Sequence, residues 1–147
     1  MKNPCENPYK LARMIAGLNQ EDAAFLLHIS TRTLSEYERG AVRPHDDIVE
    51  KMIEVYNTPW LAYAHFKTSS LGKFLPSIKF ESLEKAFLRL QKELKDVQQM
   101  SDETLDIVVD GKIDKKEEKA WERYLKEVLE AASAAMSLIF SRGAVRG

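Results

Sequence analysis

The chain contains one cysteine, Cys5, which excludes an intrachain disulfide and a cysteine-rich metal site. No apolar run approaches membrane length, and Met1 to Lys10 is polar and unlike a signal peptide. The expectation is a cytoplasmic protein with no membrane partner. There is no phosphate-binding glycine loop and no nucleophile elbow. His28, His45 and His65 are scattered, without carboxylates at ligand spacing. No enzyme, no metal and no cofactor is expected. A basic excess is missing too: residues 1–66 hold 7 Lys/Arg against 9 Asp/Glu. That balance excludes a strong, sequence-independent grip on a polyanion. What remains, 44% apolar and 31% charged, is the composition of an ordinary globular chain.

Helix signals dominate the first 66 residues. Asn7 as N-cap with Pro8 behind it predicts a helix to about Gly17, with Leu11, Ile15 and Leu18 on its core face. Asn19 caps a second helix, Gln20 to Leu27. Ser30 caps a third, Thr31 to about Arg39, which Gly40 stops. After the Arg43-Pro44 loop a fourth runs from Asp46 to Tyr56, burying Ile48, Met52 and Val55. Thr58-Pro59 opens a fifth, with Trp60, Tyr63 and Phe66 as core aromatics.

Ala23 and Ala24 allow the second and third helices to approach closely, while Leu27, Ile29, Leu34 and Tyr37 fill the space between them. The third helix leads with polar residues. That is the layout needed to place a helix in the DNA major groove. Leu-Asn-Gln-Glu at 18–21, Ile29-Ser30 at the turn and Glu38-Arg39-Gly40 at the close make residues 9–66 resemble the phage Cro/repressor-like, or Xre, helix-turn-helix family. The resemblance implies an operator-binding transcription regulator whose partner is double-stranded DNA. It implies base reading by Thr31, Arg32, Ser35 and Glu36. Phosphate contacts would come from Gln20, Ser30, Arg39 and Arg43. Two departures stand out. His28 occupies the turn position the family usually gives to glycine, and Phe25 and Leu26 stand where it usually has polar residues.

Residues 67–80 mix Ser, Gly and Pro with apolar side chains and read as a linker. Beyond them Leu83, Phe87, Leu90, Leu94 and Val97 form one heptad seam; Trp121, Leu125, Val128, Ala132, Ala135 and Ile139 form another. The pattern predicts an antiparallel hairpin of Glu81–Gln99, about 28 Å long, against Lys115–Arg142, about 42 Å long. A short helix, Asp102–Val109, would lie between them. The longer helix then overhangs the shorter, and the second seam is assigned to oligomerisation. The expected whole is all-α: a five-helix, lambda-repressor-like domain (1–66), a linker (67–80) and a helical oligomerisation or interaction domain (81–147). A homodimer would offset the weak charge. The alternative is an antitoxin-like or adaptor protein whose C-terminal helices grip a protein partner.

Asp106, Asp110, Gly111, Ile113, Asp114 and Glu117 fall at calcium-loop positions, but Val108 offers no oxygen at the third. The same residues are explained by a helix stop at Gly111 and a capping box from Asp114 to Glu117.

Overall fold

The computed structural model describes residues 7–79 and 81–141; Cys5, Phe80 and Arg142 lie outside them. The chain divides into two compact units, meeting between Leu75 and Pro76.

The first unit carries α1 (Pro8–Ile15), α2 (Gln20–Leu27), α3 (Thr31–Glu38), α4 (Asp46–Tyr56) and α5 (Trp60–Lys67). Local chemistry sets their starts. Asn7, Asn19 and Ser30 each accept a hydrogen bond from a backbone N–H three residues on, at Lys10, Asp22 and Thr33. Leu27, Leu34, Met52 and Leu61 are fully buried and form the centre of the core. Burying one such side chain contributes roughly 1.5–3 kcal/mol.

Two expected core positions turn outward. In α1 the buried residues are Tyr9, Ala12 and Arg13, whereas Ile15 is exposed and Leu11 and Leu18 are only half-buried. The helix turns Arg13 inward, where it pairs with Glu38 on α3, and leaves Ile15 on the outer side. Phe66 is likewise 58% exposed: its neighbour His65 takes the inward position, hydrogen-bonded on both ring nitrogens.

The segment read as a linker is partly structured. Ser70–Phe74 form a 3-10 turn, and the Lys67 ammonium donates to the carbonyls of Gly72 (2.8 Å) and Leu75 (3.1 Å). A Cβ at Gly72 would meet the Lys67 carbonyl oxygen at 2.1 Å, so the turn closes only with glycine there. Residues 76–79 fall in the second unit.

That unit is a hairpin of α6 (Leu83–Val108) and α7 (Glu118–Ile139). The separate helix expected at Asp102–Val109 is the last stretch of α6. Ser101 and Thr104 do not cap a new start; their hydroxyls donate to the carbonyls of Val97 (3.0 Å) and Met100 (2.7 Å), and the backbone runs on through them. The expected overhang is therefore reversed: α6 has 26 residues, about 39 Å, and α7 has 22, about 33 Å. Between them the capping box forms. The Asp114 carboxylate accepts from the Glu117 N–H and the Glu117 carboxylate accepts from the Asp114 N–H, both at 3.0 Å.

The buried residues of the two helices are small or polar except for Ile107: Ala86, Glu93, Thr104 and Ile107 on α6, Ala131, Ala134 and Ser137 on α7. Ser137 is fully buried, donating to the Ser133 carbonyl and accepting from the Lys79 N–H. The α6 seam expected to face its partner helix turns largely out of the hairpin, with Leu90 and Val97 half-buried, and the α7 seam assigned to oligomerisation lies largely outside it, with Trp121 and Ala135 half-buried. Leu83, Phe87, Leu94, Leu125, Val128 and Ile139 are 37–69% exposed. Small side chains let the helix axes approach closely, which the bulky seams would prevent.

Candidate nucleic-acid interface

The junction of α2 and α3 rests on Ala23 and Ala24, at 0% and 2% exposure. The chain reverses at His28, whose φ of 56° and ψ of 40° place it in the left-handed region. The Ile29 N–H then reaches back to the Ala24 carbonyl at 3.0 Å and closes the end of α2. Histidine meets the glycine-like requirement of this turn at a cost of about 1 kcal/mol. Ser30 immediately opens α3, its hydroxyl bonded to the Thr33 N–H (3.0 Å) and the Thr33 hydroxyl (2.8 Å).

One face of α3 is fixed and the other is free. Leu34, Tyr37 and Glu38 are buried; Thr31 and Arg32 are exposed, and Ser35 and Glu36 half-buried. The four residues expected to read bases thus lie on or beside the outward face. The Arg32 side chain is 89% exposed, and its Nε lies 3.4 Å from Glu36 Oε1. This exposed pair contributes little to stability, but it holds a fork of donors beside an acceptor on one turn.

The residues expected to meet phosphate are less uniform. Ser30 and Arg39 are exposed. Gln20 is half-buried and its amide donates to Glu38 Oε2 at 2.8 Å. Arg43 donates through Nε to the Thr68 hydroxyl (3.1 Å) and through Nη2 to the His65 carbonyl (3.3 Å), with its side chain 42% exposed. Both are tied to distant parts of the domain, whereas the Ser30 hydroxyl bonds only within the first turn of α3 and Arg39 is exposed. Arg39 and Arg43 share a 380 Å³ cleft with Asn7, Pro8, Gly40 and Thr68.

Two supporting networks were not legible in the sequence. Behind α3, Arg13 donates through Nε and Nη2 to the two Glu38 oxygens, and Gln20 joins at the same carboxylate. On α5, His65 is 3% exposed and bridges α1 and α4, with the Tyr9 hydroxyl 2.8 Å from Nδ1 and Asp46 Oδ1 2.9 Å from Nε2. The hydrogen bond from His65 holds the Asp46 carboxyl below its ordinary pKa, and burial pushes the Tyr9 phenol up. Partners 25 and 56 residues apart leave no periodic signal.

The expected oligomerisation residues fall on the outward side of α7: Leu125, Val128, Ala132 and Ile139 are exposed, Trp121 and Ala135 half-buried. On α2, Phe25 is 78% and Leu26 46% exposed. Among the described residues no helix is long and apolar enough to cross a membrane.

Residues 10–61 match the helix-turn-helix family model, which lies within the 9–66 segment resembling the Cro/repressor-like group. No curated protein and no solved structure matches the chain.

Proposed function

We propose that this chain is a sequence-specific DNA-binding transcription regulator that inserts α3 into the major groove and binds its operator as a homodimer. The observation that carries the reading is the sidedness of α3, with Leu34 and Tyr37 locked inside and Arg32 projecting almost wholly into solvent. Arg32 forks onto a guanine edge, Glu36 accepts from a cytosine amino group, and Thr31 and Ser35 complete the reading face. Ser30 and Arg39 position the phosphates, with Gln20 and Arg43 in supporting roles. The helix-turn-helix match over 10–61 supports the class. Cytoplasmic residence follows from that role.

Dimerisation is supported by the outward seams. Because α6 and α7 run antiparallel, seams displaced in the same rotational sense from their buried faces emerge on one side of the hairpin. Leu83, Phe87 and Leu94 then line up with Leu125, Val128 and Ile139, all partly or largely exposed. Two such hairpins meeting face to face bury both seams as a four-helix bundle. The dimer presents two copies of α3 about 34 Å apart, one turn of duplex.

Selection of binding sites from random duplex DNA tests the reading. The wild-type chain is expected to enrich a pseudo-palindrome. Arg32→Ala loses a guanine preference and about 1–3 kcal/mol of specific binding. Enrichment of no site removes the regulator reading, and identical sites for both chains remove the role of Arg32. The same exposed face also suits a helical protein partner, as in an antitoxin-like or adaptor protein. A chain that stays monomeric at working concentration by light scattering favours that second reading.

A further inference from the structure

We propose that the C-terminal hairpin binds a divalent cation between Glu93 of α6 and Glu127 and Glu130 of α7. Glu127 and Glu130 are three residues apart and so share a helix face; Glu93 lies opposite, on the buried stripe of α6. One carboxylate oxygen from each residue lies within 4.8 Å of the others. Acidic clusters are common on helices and mean nothing alone. Here the inner member is different in kind: Glu93 is 7% exposed, and its Oε2 is buried with no hydrogen-bond partner. A buried carboxylate oxygen without a donor is costly and calls for a counter-charge.

The nearby cations do not supply one at that oxygen. Lys92 lies 3.3 Å from the other Glu93 oxygen and closer, 2.9 Å, to Asp96. Lys126 stands 3.9 Å from Glu130. Arg89, one turn before Glu93, donates through Nε to Glu81 at 2.7 Å; its buried Nη2 makes no hydrogen bond and forms no ion pair with Glu93. A small cation between the three carboxylates satisfies the inner oxygen and screens the outer two.

The donor set names the class of ion. Three carboxylates with no imidazole or thiolate suit magnesium, manganese or calcium rather than a soft metal. Bonds of about 2.1–2.4 Å put neighbouring ligand oxygens roughly 3–3.4 Å apart and opposite ones up to about 4.8 Å, within reach of the observed spacing after small side-chain movements. Glu127 is half-buried and Glu130 exposed, so the outer side stays open to water, which magnesium and manganese retain when bound. The bound ion clamps α6 to α7 within one chain. The proposal does not rest on DNA binding.

Manganese titration of the full-length chain tests it, with free ion followed by its paramagnetic resonance signal and thermal unfolding by circular dichroism. The expected result is one ion per chain, a higher Tm with manganese, and affinity at least tenfold weaker in Glu93→Gln. Asp96→Asn, outside the cluster, keeps the wild-type affinity. If Glu93→Gln does not fold, Glu130→Gln, altered at an exposed position, reports the same loss. No saturable binding overturns the proposal, as does binding unchanged by these glutamines. A stability that ignores manganese but falls as carboxyl protons are lost also overturns it, in favour of a proton shared among the three groups.

Discussion

Arg13 of α1 and Glu38 at the end of α3 form a two-pronged ion pair inside the first unit, at 8% and 6% exposure. The third guanidinium arm donates to the Leu18 carbonyl at 2.7 Å and Gln20 completes the carboxylate. Each polar atom that burial strips of water thus gains a partner, the condition under which a buried pair is tolerated. The pair fixes the angle of the reading helix from behind. Glu38→Ala leaves a buried cation and is expected to cost about 3–5 kcal/mol, read from the urea midpoint. The double variant Arg13→Met/Glu38→Leu is expected to lose less than the sum of its single variants. Strict additivity would show that the two side chains act separately.

His28 carries the left-handed turn between α2 and α3 at φ 56°. Glycine has no Cβ penalty there, so His28→Gly is expected to raise stability by about 1 kcal/mol. The same urea titration measures it. A loss of stability would mean that the imidazole contributes a contact worth more than the strain.

Asp46 links the first unit to acid pH. Its carboxyl sits below the ordinary range, first because His65 donates a hydrogen bond to it. A carboxyl depressed in the folded state adds stability that is complete above its unfolded pKa, about 3.9. That stability is lost as pH falls through the folded value. The gap between wild type and Asp46→Asn is therefore expected to be full at pH 6 and to close below about pH 4. Urea midpoints from pH 2 to 6 trace it; a gap independent of pH would exclude Asp46 as the titrating group.

The exposed seams of the hairpin predict assembly. Leu94 and Leu125 are 49% and 45% exposed, so Leu94→Glu/Leu125→Glu is expected to leave helix content unchanged. The sedimentation mass should halve. An unaltered dimer would place the interface elsewhere, with Phe25 and Leu26 on α2 as the next apolar surface to test.

The amino-acid order by itself determined the punctuation of this fold. Asn7, Asn19 and Ser30 as caps, the reversal at His28 and the box from Asp114 to Glu117 are interactions spanning no more than a few residues, so their partners stand beside them in the text. The bounds of α2 and α4 follow directly. Helix rotation was decided only by the tertiary structure. Successive helical residues are about 100° apart, so a pattern that tolerates either of two neighbours leaves the buried face open. Arg13 then displaced Ile15, His65 displaced Phe66, and Ala131 and Ala134 turned the seam of Leu125 and Val128 to the outside. Each choice depends on a partner brought near by folding: Glu38 for Arg13, Tyr9 and Asp46 for His65, the buried face of α6 for the small face of α7. Contacts between distant positions settle which side of a helix faces in, and periodicity alone does not encode them.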